Sequence, residues 1–108
     1  MNTQQRIHLC INTWIHCEQL LLTIQAHPVS FSKRTAQVLD ECTHICLGMV
    51  EALKRQTQNL AKMALLCVGV CEECAELCER YRSENFLACA QACKQCSQAL
   101  AALAAPAI

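Results

Sequence analysis

Eleven of the 108 residues are cysteine, and nine of them fall in C-x3-C or C-x2-C spacings. The pairs Cys42/Cys46, Cys67/Cys71, Cys74/Cys78 and Cys89/Cys93 are four residues apart. Cys71/Cys74 and Cys93/Cys96 are three apart, and Cys10 and Cys17 are seven apart. Steps of three, four and seven put thiols on one face of a helix. Two thiolates one turn apart can grip a single soft ion, and soft thiolates select Cu(I), zinc or iron–sulfur clusters. Cu(I) accepts two sulfurs in a line, which suits a chain of pairs. Zinc needs four ligands in a closed tetrahedron, and the C-x2-C-x2-C run of many iron–sulfur proteins is absent.

Each stripe continues as ordinary core. Cys42 and Cys46 lead to Met49 and Leu53, Cys96 leads to Leu100 and Leu103, and Cys17 leads to Leu21 and Ile24. The cysteines therefore stand where a bundle carries Leu or Ile. Free Cys does pack as a small hydrophobe, but replacing Leu by Cys across a core loses volume and weakens packing. Metal ions would fill the lost space. A disulfide framework fits less well. Helical residues four apart have Cα atoms about 6 Å apart, but their side-chain directions strain the bond, and eleven is an odd number.

The elements that must carry these stripes are helices. The chain has two Gly, two Pro and four Phe, Trp or Tyr residues, too few turn formers for a sheet. Four helices are predicted at about 3–26, 31–55, 57–81 and 84–104, with Ser30 or Ser32 and Ser83 as N-caps and His27-Pro28 as a stop. Glu51/Arg55 and Glu76/Arg80 are expected as exposed i,i+4 pairs. Short connections make neighbours antiparallel, so the expectation is a single all-α domain over 1–108, an up-down-up-down four-helix bundle with a cysteine-lined core. Aligning helix midpoints at about 1.5 Å per residue places Cys78 and Cys89 nearest the end with the first and third connections. Cys17, Cys42, Cys46, Cys67, Cys71, Cys93 and Cys96 fall near the centre. Cys10, Met49 and Met63 fall roughly 8 to 9 Å towards the other end.

Lys plus Arg equals Asp plus Glu, nine of each, which gives no electrostatic case for nucleic acid or a membrane surface. No apolar run is long enough to span a bilayer, and MNTQQRIHLC has no signal-like pattern. The expectation is a reducing, cytoplasmic setting with free thiols. No Gly-rich loop, acid pair or Cys–His dyad suggests an enzyme.

The segments DECTHIC (40–46), LCVGVCEECAELC (66–78) and ACAQACKQC (88–96) resemble the bacterial cysteine-rich four-helix-bundle copper storage proteins. The resemblance implies that Cys10, Cys17, Cys42, Cys46, Cys67, Cys71, Cys74, Cys78, Cys89, Cys93 and Cys96 are Cu(I) ligands. It implies several ions per chain, roughly five or six at two thiolates each, with zinc as the alternative metal. It also implies a cytosolic member that forms a homo-oligomer such as a tetramer, which the Ala- and Leu-rich outer faces permit. Helix one departs from the pattern, with only two cysteines. Met49 and Met63 at one end, or His27 at the other, are candidate entry ligands. His8, His16 and His44 read as surface residues. The rival readings are a metal-free structural bundle and a zinc or iron–sulfur protein.

Overall fold

The computed structural model describes residues 1–104, and the last four residues of the expected domain lie outside them. Four helices follow one another: α1 (Thr3–Ala26), α2 (Lys33–Arg55), α3 (Leu60–Glu79) and α4 (Glu84–Ala104). No strand occurs among the described residues. Asn2 caps α1 through its side chain, and Gln5 reaches back to the Asn2 N–H to complete a capping box. Pro28 cannot extend α1, and residues Pro28–Ser30 form a 3-10 turn. That turn delays α2 to Lys33, where Ser32 Oγ accepts from the Thr35 N–H at 3.1 Å.

The second connection also runs longer than the expected boundary at Thr57. Gln56 adopts φ 50°, a left-handed C-cap that ends α2, and α3 starts only at Leu60. At its far end α3 stops at Glu79 rather than Tyr81. Ser83 Oγ then accepts from the Phe86 N–H at 3.3 Å and starts α4 where expected.

Each helix packs against two neighbours: α1 on α2 and α4, and α3 on α2 and α4. The result is a closed square bundle of 44 × 23 × 20 Å. Its antiparallel sense is visible in paired contacts. Arg6 Nε donates to the Ala99 carbonyl at 3.0 Å, and Thr13 Oγ1 lies 3.1 Å from the Ala92 carbonyl, so α1 rises as α4 descends. Cys42–Cys71 and Cys46–Cys67 run in the same opposed order between α2 and α3. The expected Glu51–Arg55 pair forms at 3.4 Å, and exposed cross-helix pairs join Arg34 to Glu73 and Lys94 to Glu79. Arg80 instead caps α3 and takes part in no ion pair among the described residues. No described helix is long and apolar enough to cross a membrane.

Apolar residues close both ends of the core. Ile7, Met49, Leu53, Ala64 and Leu100 are buried within about one turn or two beyond the last thiols at one end. Leu20 and Phe86 do the same at the other, with Phe31 and Tyr81 packed against them.

Candidate metal centre

The local 3.6-residue geometry carries every cysteine inward. All eleven are free, and none is more than 1% exposed. The outward positions between them hold Glu72, Glu76, Lys94 and Gln95, all exposed.

Axial register then decides which sulfurs meet. Arg6 and Thr13 are seven residues apart, as are their partners Ala99 and Ala92, and so are Cys10/Cys17 and Cys89/Cys96. These two side-chain-to-carbonyl contacts, the Thr13 hydroxyl being shared with the Leu9 carbonyl at 3.0 Å, go with the height of α1 that brings Cys10 Sγ to 3.8 Å from Cys96 and Cys17 Sγ to 3.8 Å from Cys89. The midpoint alignment places Cys10 towards the Met49 end and Cys17 near the centre; Cys10 does lie at that end of the column but level with Cys96, and Cys17 is drawn from the centre to Cys89. Helices of unequal length need not centre on one another, and α1 sits about three residues from that position. Between α2 and α3, Cys42 lies 3.9 Å from Cys71 and Cys46 lies 4.0 Å from Cys67, while Cys67 and Cys71 lie 3.9 Å apart along α3.

Two compact groups result. The sulfurs of Cys17, Cys74, Cys89 and Cys93 lie within 4.8 Å of one another, and so do those of Cys46, Cys67, Cys71 and Cys96. The remaining three link and extend them. Cys42 lies against Cys46 and Cys71 of one group and Cys17 and Cys74 of the other. Cys10 touches Cys67 and Cys96 at one end, and Cys78 touches Cys74 and Cys89 at the other. Eleven sulfurs thus form one unbroken column.

No charged side chain enters it. Among the described residues the only buried polar side chains are Thr13, Thr35, Thr43 and Ser97. A buried thiolate without a cation is costly. Hydrogen bonding to Cys67 and then Cys96, with burial, pushes the Cys10 thiol above its ordinary 9.0. Hydrogen bonding to Cys42, then burial, pushes Cys71 up to about 11. Cys17, Cys46 and Cys93 are raised the same way, with Cys42, Cys42 and Cys17 as their first partners. Cys89 goes the other way, to about 6, because the thiols of Cys17 and Cys74 donate to it.

The remaining sequence candidates lie off the column. Met49 is fully buried beyond it and Met63 is half-buried beside Gly48. His8, His27 and His44 are exposed and His16 is half-buried, His44 with Nδ1 2.8 Å from the Asp40 carbonyl. Sequence reasoning passed over the Thr13 hydroxyl, which reads as one more inward position, and the aromatic cap. The cap left a signal: three of only four Phe, Trp and Tyr residues, Phe31, Tyr81 and Phe86, flank the two connections at one end.

A family model described as copper storage protein matches residues 1–105. A cysteine-rich protein of Bacillus subtilis (strain 168), YhjQ, is 31% identical over 65 residues. That match spans 60% of this chain and 60% of the length of YhjQ. The solved structure of Cu(I)-bound copper storage protein BsCsp3 superposes with a TM-score of 0.84 at 23% identity, covering 97% of this chain and 100% of that one, and so shares its fold.

Proposed function

Since the chain belongs to the copper storage protein family, we propose that it stores Cu(I) inside the bundle, with all eleven cysteines as ligands. The family points to storage rather than catalysis, and storage needs no catalytic residue. One observation carries the reading: eleven buried, unpaired thiols form a continuous column with no buried charge beside it.

Charge balance bears on both metal and number. A linear Cu(I) bis-thiolate is a monoanion, and five or six of them would leave as many buried negative charges, each costing several kcal/mol even after relaxation. Thiolates that bridge two ions reduce that charge, and one Cu(I) per thiolate cancels it. Five or six ions is therefore the lower level of loading, and about eleven is the neutral end point.

Zinc is the second reading, favoured by distance. A Zn–S bond of about 2.3 Å sets tetrahedral sulfurs about 3.8 Å apart, close to the 3.8–4.0 Å pairs seen here. A zinc tetrathiolate is a dianion, however, and this core offers no cation to offset it. The balance favours Cu(I).

Reduced thiols suit a reducing compartment, so we place the protein in the cytoplasm. We also propose a homo-oligomer. Leu65 and Leu66 are 60% and 61% exposed, and Ile45, Leu66 and Val70 line an apolar groove on the α2–α3 face that a second copy could cover. Sedimentation velocity tests that assembly. Anaerobic Cu(I) titration against a strong chelator tests storage, and saturation below one ion per chain defeats it.

A further inference from the structure

We propose that the cavity over the connection end of the bundle docks a small anionic thiol carrying Cu(I), which hands its ion to Cys78 and Cys89. The proposal rests on the storage reading and names the donor that fills the store.

The cavity measures about 550 Å³ and is lined by Leu20, Phe31, Arg80, Tyr81, Arg82 and Phe86 with Thr23, Ser83 and Asn85. That size suits a small molecule rather than a helix or strand. Its floor is tied to the thiol column by helical spacing. Leu20 lies three residues past Cys17, Tyr81 three past Cys78, and Phe86 three before Cys89. Each floor residue is one turn beyond a terminal thiol, so the cavity opens directly over the end of the column.

The rings form a preset surface. Tyr81 and Phe86 have centroids 4.7 Å apart, and Phe31 lies 5.3 and 5.4 Å from them. The Tyr81 hydroxyl is held by Thr35 Oγ1 at 3.0 Å and by the Ser32 N–H at 3.3 Å. These rings separate the cavity from Cys78 and Cys89, which are fully buried, and they must part for transfer.

The rim selects charge. Arg80 and Arg82 line the cavity, and neither is in an ion pair among the described residues, although Arg34 and Arg55 both are. Glu84 does not line it. The 21-residue helix α4 begins here with Glu84 in its first turn, which offsets the positive end of the helix, so the two guanidinium groups carry the charge of the rim. Two unpaired guanidinium groups attract anions. The soft ion narrows the anion to a thiolate carrier, because Cu(I) travels on soft sulfur ligands.

The exchange balances without a redox step. A carrier complex holds Cu(I) between two thiolates. Its two Cu–S bonds break as bonds to Cys78 Sγ and Cys89 Sγ form, and each departing thiolate takes the proton that one cysteine releases. Copper stays Cu(I), and the complex charge is unchanged.

The test is stopped-flow transfer of Cu(I) to the whole protein from its bis-thiolate complexes with mercaptosuccinate, whose carboxylates add negative charge to the copper monoanion, and with 2-mercaptoethanol, which adds none. Wild type is compared with R80Q/R82Q, whose exposed positions leave the fold intact, and with R55Q at the opposite end. The expected result is about tenfold slower transfer from mercaptosuccinate in R80Q/R82Q. Transfer from 2-mercaptoethanol, final copper content and both R55Q rates should stay as in wild type. Equal slowing for both carriers, no slowing for either, or slowing by R55Q overturns the docking site. In those cases a normal final copper content leaves the storage reading standing. Failure to load from either carrier removes both.

Discussion

Copper should stabilise this fold far more than its apo packing suggests. The sulfur pairs that an ion would bridge are remote in sequence: Cys10–Cys96 are 86 residues apart, Cys17–Cys89 72, Cys42–Cys71 29 and Cys46–Cys67 21. An unfolded chain can still offer local C-x3-C pairs, but it must close long loops to reproduce these cross-helix contacts. Ions therefore favour the folded state. One site at 100-fold excess over its Kd adds about 2.7 kcal/mol, and the two separate four-sulfur groups together add about 5 kcal/mol. For a domain of this size 1 kcal/mol moves Tm by about 4–8 °C. Filling both groups should therefore raise Tm by roughly 20–40 °C, less whatever the local pairs bind in the unfolded chain. The assay is anaerobic circular dichroism melting at stepwise Cu(I) equivalents, with the loaded protein stripped by a strong Cu(I) chelator as the control. An unchanged Tm at saturation, with copper still bound, would refute the argument that the ions bridge helices.

Three further outcomes follow from individual contacts. Above pH 9 the apo protein should lose stability. Thiols such as Cys71 stay protonated to about 11 in the fold, while the unfolded thiols ionise from their ordinary value upward. The unfolded state then binds fewer protons, and stability falls by up to about 1.4 kcal/mol per pH unit for each such thiol. Urea titrations at pH 8, 9 and 10 read that slope, and a flat profile contradicts it. Thr13→Val should remove the hydroxyl that lies 3.1 Å from the Ala92 carbonyl at a cost of about 1 kcal/mol in a denaturant melt. If the contact sets the register of α1, the variant should also load Cys10 and Cys17 less uniformly, as judged by alkylation mass spectrometry of partly loaded protein. Gln56→Gly should stabilise the chain by roughly 0.5–1 kcal/mol, because glycine relieves the left-handed φ of 50°, and a lower Tm would count against that account.

Much of the site is legible in the sequence because helical periodicity is local. The steps between Cys67, Cys71, Cys74 and Cys78 place four thiols on one face whatever the rest of the chain does, and the scarcity of Gly and Pro leaves helix as the backbone for them. The same local rules offer Ser30 or Ser32 and Ser83 as caps, and the helices start from Ser32 and Ser83. These rules miss the start of α3 at Leu60, because Asn59 in front of it makes no side-chain capping bond that would mark it over Thr57.

What only the tertiary structure decided is the height of each helix against its neighbours. Periodicity sets which way a side chain faces and says nothing about sliding along the axis. The height reached goes with particular contacts, Arg6 to Ala99 and Thr13 to Ala92 among them, and it sorts eleven similar thiols into two four-sulfur groups joined through Cys42. The aromatic cap is likewise a product of assembly: Phe31, Tyr81 and Phe86 come from separate parts of the chain and meet only because both connections arrive at one end of the bundle.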